Sequence, residues 1–498
     1  MSPVDVLILG SYFFILSILA FYGWHRYFIV YLYTKHRDDV PRPAGRFDTL
    51  PVVTIQLPIY NEMYVADRLI DAVGRLDYPR DRLEIQVLDD STDVTRSVAE
   101  LAVRRLAARG FDIKYLPRAD RTGYKAGALA AGLNVARGEF VGIFDADFIP
   151  SADFLVRSIH HFTDPKVAMV QTRWGHINQD YSLLTKIQAI LLDGHFVLEH
   201  GGRNRAGCFF NFNGTAGIWR RTAIDDAGGW HHDTLTEDLD LSYRAQLRGW
   251  KFVFVPDLVS PAEVPVEMNA FKSQQHRWAK GSIQTCRKLL PAILQSDQPF
   301  VVKAEAFFHL TANFNYPLMV LLSLLMFPAI FVRYSGGWSE MLLIDLPFFV
   351  AATASVFYFY AISQREIYAD WRSRLKYLPL LMAVGIGLSI NNTRAVLEAL
   401  FNRESEFART PKYGVEQTSD DWTGKKYRQL TSVQPFIELA LGLYFTGTVF
   451  YALSNGIYAS LPFLVLFQAG YLYMALLSLL QQFGSDVILH DAPAISGK

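Results

Sequence analysis

The chain has 498 residues, 51% of them hydrophobic and 14% aromatic, with 48 basic residues balancing 48 acidic ones. A net charge of zero excludes bulk attraction to nucleic acid, and so apolar a composition excludes an ordinary soluble enzyme. Two cysteines, Cys208 and Cys286, cannot build a disulfide framework and read as buried thiols in a reducing compartment.

In chain order, residues 4–33 are apolar apart from His25-Arg26, long enough for one tilted membrane span. With no basic leader region and no small-residue cleavage site, this segment is expected to be a retained anchor. From residue 51 onward, short apolar runs alternate with helical patterns. Strands are expected at 52–57, 84–88, 113–116, 140–144 and 168–171, with helices at 96–108 and 125–135 between them. This alternation predicts a Rossmann-like α/β domain, with a mostly parallel sheet covered on both faces. Ligands in such sheets bind at the carboxyl ends of the strands.

Further spans are expected at 304–332, 342–363, 433–453 and 457–480, whereas the apolar run 377–390 is short and suits the membrane interface. The charges agree. Lys35 and Arg37, Arg365 to Lys376, and Arg403 to Arg428 all fall on one face if 377–390 does not cross, as the positive-inside rule requires. The expected organisation is therefore an anchor (1–35), a cytoplasmic globular domain (36–295), two spans (296–363), an interfacial stretch with a basic loop (364–432), two more spans (433–482) and a short cytoplasmic tail (483–498).

Several motifs sit where this architecture puts ligands. Asp145-Ala146-Asp147 follows a strand, and two carboxylates at alternate positions can hold a hard divalent ion against a diphosphate. Asp89-Asp90-Ser91 closes the neighbouring strand, and Pro58-Ile59-Tyr60-Asn61-Glu62 closes the first. Lys125 opens a helix, where a cation beside free N–H groups suits a diphosphate. Thr236-Glu237-Asp238 precedes a helix; its acids suit a general base, or simply a helix N-terminus. Gln274, Arg277 and Trp278 share one helix face, offering a ring for a sugar, an amide for hydroxyls and a guanidinium for a leaving diphosphate.

The ordered set Asp89-Asp90, Asp145-Ala146-Asp147, Thr236-Glu237-Asp238 and Gln274 to Trp278 resembles the signature of processive, membrane-embedded family 2 glycosyltransferases, the group of cellulose, chitin, hyaluronan and mannan synthases. Together with Tyr124 to Leu129 and Phe212 to Gly217, it looks most like the cellulose-synthase-like β-mannan and glucan-backbone synthases and their bacterial relatives.

The resemblance implies a GT-A domain joined to a helical transmembrane bundle. Tyr60, Glu62, Asp89, Asp90, Lys125, Asp145 and Arg277 would bind the nucleotide-sugar, and Asp145 and Asp147 would carry Mg²⁺ or Mn²⁺. Asp238 would be the base, and Phe212, Asn213, Gly214, Thr215, Glu237, Gln274 and Trp278 would receive the acceptor. Phe407, Thr410 and Lys412 match the F-x-V-T-x-K gating loop of bacterial cellulose synthase, with Arg409 standing where that family has Val.

The implied reaction is processive, inverting polymerisation of a β-linked mannan, glucan or glucomannan, with the β-1,4 linkage of this group, from GDP-mannose, GDP-glucose or UDP-glucose, with export of the growing polysaccharide across the lipid bilayer. Transfer of one sugar to a lipid acceptor is the alternative. The expected location is a bacterial inner membrane, with accessory export subunits as candidate partners. The short tail carries no arginine, so a C-terminal cyclic-di-GMP module is not expected.

Overall fold

The structure is a computed structural model that describes residues 2–337, 342–403, 409–422, 425 and 432–490. The chain opens on α1 (Pro3–Lys35), capped by Ser2 and Asp5, which bond reciprocally across the first turn. The globular part follows as β1 (Val53–Ile59), α2 (Ala66–Val73), β2 (Leu83–Asp89), α3 (Thr95–Ala108), β3 (Asp112–Pro117), α4 (Tyr124–Val135) and β4 (Phe140–Ile143). Then come α5 (Phe154–Ser158), β5 (Val167–His176), α6 (Leu183–Gly194), a π-helical turn (His195–His200) and α7 (Gly201–Arg205). β6 (Gly217–Arg220), α8 (Arg221–Asp226), α9 (Glu237–Leu247), β7 (Lys251–Ala262) and the long α10 (Met268–Gln295) complete it.

The seven strands form one sheet in the order β3-β2-β1-β4-β6-β5-β7. Only β6 runs antiparallel to its neighbours, β4 and β5. Every side chain of β2 is buried, as expected for a parallel strand covered on both faces. One apolar cluster, including Ile55, Val87 and Phe144, packs beneath α2, α3 and α5. A second, including Leu129, Trp219 and Phe254, fills the opposite face. All five expected strands are present. The two that pattern reading omitted are β6, only four residues long, and β7, whose Pro256, Asp257 and Pro261 disguise it as loop.

The helical part comprises α11 (Phe300–Thr311), α12 (Asn315–Ser335), α13 (Leu342–Ile367), α14 (Trp371–Arg374), α15 (Leu378–Gly387), α16 (Ser389–Leu400), α17 (Gln434–Ser454) and α18 (Leu461–His490). Among the described residues, six stretches are long and apolar enough to cross a membrane, one more than expected. The sixth is Trp371–Leu400, because the apolar run continues into α16 past the single non-helical residue Leu388. It also differs from the rest: 61% of its apolar window is buried in protein, against 18–39% for the others. α15 lies against α18 and α16 against α10, so this stretch joins the bundle to the globular domain.

Candidate active site

β1 and β2 run in register to their last residues, with Pro58 opposite Leu88 and Ile59 opposite Asp89. The two loops that follow are therefore side by side. Asp90 N–H donates to Ile59 O (3.0 Å), Asn61 N–H to Ser91 Oγ (2.8 Å) and Thr92 N–H to Asn61 Oδ1 (2.8 Å). Asn61 takes φ +54°, a left-handed turn that asparagine tolerates better than most residues. This turn carries Tyr60 and the buried Glu62 into a cavity at the carboxyl edge of the sheet.

The two aspartates of the second loop have different work. Asp89 is fully buried; it accepts from Tyr115 Oη (2.7 Å) and from Ser91 N–H (2.8 Å) and does not line the cavity. It shapes the loop and leaves the cavity wall to Asp90. Asp90 accepts from Arg118 Nε at 2.7 Å and from Arg118 Nη2 at 2.5 Å. Arg121, which the motif reading passed over, lies with its guanidinium carbon 3.3 Å from the centre of the Tyr60 ring.

Asp145 and Asp147 follow β4 into the same cavity. Lys125, at the start of α4, bonds Asp145 Oδ1 at 2.5 Å and Gly214 O at 2.9 Å. Lys412 pairs with Asp147 Oδ2, while Asp147 Oδ1 is buried without a hydrogen-bond partner. Both carboxylates thus have lysine ammonium groups where a divalent ion would sit, and one oxygen has capacity to spare. An all-oxygen pair facing one cavity fits Mg²⁺ or Mn²⁺. Elsewhere His231, Asp233 and Asp240 also converge, but the Lys288 ammonium already lies 2.8–3.2 Å from all three.

Opposite the acidic pair, α9 begins with Glu237 and Asp238, both lining the cavity. Gly214 takes φ +79°, and a Cβ there would come within 2.9 Å of Asp238 Oδ2. Only glycine lets the loop approach that carboxylate so closely. Burial, and then the adjacent Glu237, push the Asp238 carboxyl up to about 7. The helix N-terminus acts in the opposite direction, and burial outweighs it.

Gln274, Arg277 and Trp278, on the first turns of α10, line the wall beside Asp238. Asn213 and Gly214 also line the cavity, whereas Phe212 and Thr215 stand behind it. Phe212 is buried edge-on against Trp219, and Thr215 Oγ1 accepts from Asp145 N–H at 2.8 Å, tying the loop at 212–215 to the acidic pair. Gln171 of β5 secures that loop, accepting from Asn213 N–H (3.0 Å) and donating to Thr215 O and Ala216 O (3.1 Å each).

The basic loop reaches the same cavity. Arg409 pairs with Glu62 at 3.4 Å, and Thr410 and Lys412 line the wall; Phe407 lies outside the described residues. Glu263, just past β7, accepts the backbone N–H groups of Tyr413 (2.9 Å) and Gly414 (2.8 Å) and so docks the loop. No motif marks Glu263; it is found only once β7 is known to end there.

This sheet and this set of groups at its carboxyl edge define a GT-A glycosyltransferase domain. Residues 51–281 match the family described as glycosyltransferase like family 2.

The chain is 46% identical over 271 residues to glucomannan 4-beta-mannosyltransferase 2 of Arabidopsis thaliana, a match covering 53% of this chain and 50% of that protein. It is 43% identical over 284 residues to glucomannan 4-beta-mannosyltransferase 1 of Oryza sativa subsp. japonica, covering 56% and 54%. It thus spans about half the length of these relatives. They are plant proteins and lend the expected bacterial inner membrane no support. Among solved structures, a mannosyltransferase from Pyrobaculum calidifontis in complex with GDP-Man and Mn2+ matches the fold with a TM-score of 0.51 at 22% identity, covering 80% of this chain and 99% of that one.

Proposed function

We propose that the protein is a processive, inverting β-mannosyltransferase that builds a mannan or glucomannan backbone from GDP-mannose. The observation that carries this reading is the convergence, in one cavity, of Asp145 and Asp147, the raised Asp238 carboxyl and the Gln274–Arg277–Trp278 face. The glucomannan mannosyltransferase relatives favour mannose over glucose, and β-1,4 linkage.

Asp145 and Asp147 would hold Mg²⁺ or Mn²⁺, which when bound neutralises diphosphate charge. Lys125 and Arg277 add fixed positive charge where the leaving diphosphate gathers negative charge. Tyr60 and Arg121 form a flat wall for the base, and Asp90 and Glu62 offer acceptors to its edge. On the acceptor side, Trp278 supports the terminal sugar. Asp238 takes the proton from the attacking hydroxyl as the new C–O bond forms at the anomeric carbon and the bond to the diphosphate breaks on the opposite face. Glu237 keeps the Asp238 carboxyl basic enough for that task.

The basic loop supports one arrangement in the membrane, and its positive charge supports a cytoplasmic side. Arg409 and Lys412 reach the catalytic cavity, so the globular domain and residues 409–412 lie on one side of the membrane. Between them, α12 crosses and α13 returns. Trp371–Leu400 therefore enters and leaves on the same side, which gives five spans with the site and basic loop cytoplasmic. Accessory export subunits remain candidate partners.

Incubating the purified protein with Mn²⁺ and labelled GDP-mannose, GDP-glucose or UDP-glucose tests the donor. GDP-mannose is expected to give the fastest sugar incorporation; incorporation from UDP-glucose alone would refute this assignment.

A further inference from the structure

Among the described residues, α13 is the least covered of the six apolar stretches, with 18% of its apolar window buried in protein. One face of it floors an open groove, through Val350, Ala354, Phe357, Ala361 and, at the far end, Arg365. Their spacing of three or four residues keeps them in one line along the helix. Tyr27 of α1 and Phe463 of α18 line the groove as well, and the Tyr27 ring lies 5.8 Å from that of Tyr358 on α13. Val350, Phe357 and Tyr358 are all exposed. Large apolar side chains left open side by side mark a surface that meets an apolar partner.

The groove has a direction and a length. Gln364 of α13 donates to Asp193 Oδ2 of α6 at 3.0 Å, so the Arg365 end lies against the globular domain and the Val350 end runs away from it. At 1.5 Å per residue, Val350 to Arg365 covers about 22 Å. That is half of the ~40–45 Å of a bilayer with its headgroups, the length of one lipid molecule and too short for a whole spanning helix.

The Arg365 end is charged. Residues 365–376 carry Arg365, Arg372, Arg374 and Lys376 against Glu366 and Asp370. Both acids have other partners: Glu366 lies 3.1 Å from Arg37 and accepts from Tyr33 Oη at 3.0 Å, and Asp370 lies 3.6 Å from Arg374. Arg365 reaches Glu366 at 3.5 Å, with 47% of its own side chain exposed. Among the described residues, no carboxylate pairs with Arg372, whose guanidinium carbon lies 5.4 Å from the centre of the Trp371 ring. Trp371 lines the same groove as Arg365, and an indole suits the headgroup level of a membrane. An apolar slot of one leaflet's depth, ending on two weakly neutralised guanidinium groups and an indole, matches a lipid with an anionic head. A partner helix laid there would bury those guanidinium groups and would have to bring carboxylates for them.

We propose that this groove binds one anionic glycerophospholipid, its phosphate held by Arg365 and Arg372 and an acyl chain lying along α13 toward Val350. Basic pockets beside apolar helices hold anionic lipid heads in this way. The site goes beyond the glycosyl-transfer reading and does not depend on it.

The test is native mass spectrometry of the full chain released from detergent micelles, titrated with phosphatidylglycerol and with phosphatidylcholine of the same acyl chains. Each variant is checked by its melting temperature. Wild type is expected to retain one phosphatidylglycerol at least about tenfold more tightly than phosphatidylcholine. Arg365→Gln should weaken phosphatidylglycerol about fivefold, and Arg365→Gln with Arg372→Gln about thirtyfold. Arg403→Gln, which removes a cation from the other basic segment, should leave the affinity as it is. Ala354→Phe, which fills the slot, should weaken both lipids alike. Equal affinity for the two lipids, or equal losses in Arg365→Gln and Arg403→Gln, would overturn the site. Displacement of the lipid by millimolar inorganic phosphate would make the ligand a free anion and overturn the lipid assignment. A lipid-free dimer that Ala354→Phe splits would overturn it too, in favour of a second copy of the chain.

Discussion

Asp238 is a carboxyl kept from ionising easily by burial and by Glu237. Its folded value, about 7, lies above the ordinary 3.8, so the ionised form is disfavoured in the fold. Stability from this group is present at low pH and is lost as pH rises through 7. Activity runs the other way, because the base must be ionised. The acid limb of kcat/KM is expected at or below about pH 7, since bound metal and donor add positive charge. Asp238→Asn should lower kcat by roughly 10²–10⁴-fold while leaving GDP binding intact, as read by transfer assay and titration. The same variant should melt higher than wild type at pH 8, with the gain shrinking toward pH 5, a sign that calorimetry checks. The sequence motifs singled out Asp238, the acidic pair and Trp278, and all of them line one cavity. They could not separate Asp89 from Asp90: which of two adjacent carboxylates turns inward depends on the Tyr115 and Ser91 bonds. Arg121 and Gln171 were silent for the same reason, since their partners, Tyr60 and the loop at 213–216, are distant in the chain.

At the scale of elements, α10 carries the Gln274–Trp278 face and must be held in place. Lys272, one turn earlier, pairs with Glu438 of α17 at 2.5 Å and bonds Ser478 of α18 at 2.8 Å, all three buried. Removing one charge from such a pair strands the other, typically costing about 3–5 kcal/mol. Lys272→Met is therefore expected to lower the melting temperature sharply, and adding Glu438→Leu to recover much of the loss. The basic loop gives a second expectation. Lys412 pairs with Asp147 and its positive charge opposes an incoming cation there. Lys412→Ala should tighten Mn²⁺ binding to the donor-free protein, measured by the loss of the free-ion electron paramagnetic resonance signal; weaker binding would count against the pairing. The β/α alternation was legible through β4 because each strand is a plain apolar run. It faded at β6 and β7, where shortness and prolines override the pattern, and Glu263 was lost with them.

For the whole molecule, α10 and α16 join the globular domain to the apolar helices. The even charge balance of the chain conceals basic segments beside the apolar stretches, at Lys35 and Arg37, Arg365 to Lys376 and Arg403 to Arg428, and these were readable from sequence. The length of the sixth apolar stretch was not, because Leu388 joins two runs that look separate. A cysteine placed at Ser419 should resist an impermeant thiol reagent in intact cells and react after permeabilisation; labelling in intact cells would place the basic loop outside. Processive synthesis itself is tested most directly by product size at low conversion. Purified protein in nanodiscs, given Mn²⁺ and labelled GDP-mannose, is predicted to yield long, β-mannanase-sensitive chains while most donor is still unused. A product that stops at one sugar on a lipid, or grows evenly by single additions across all acceptors, would contradict it.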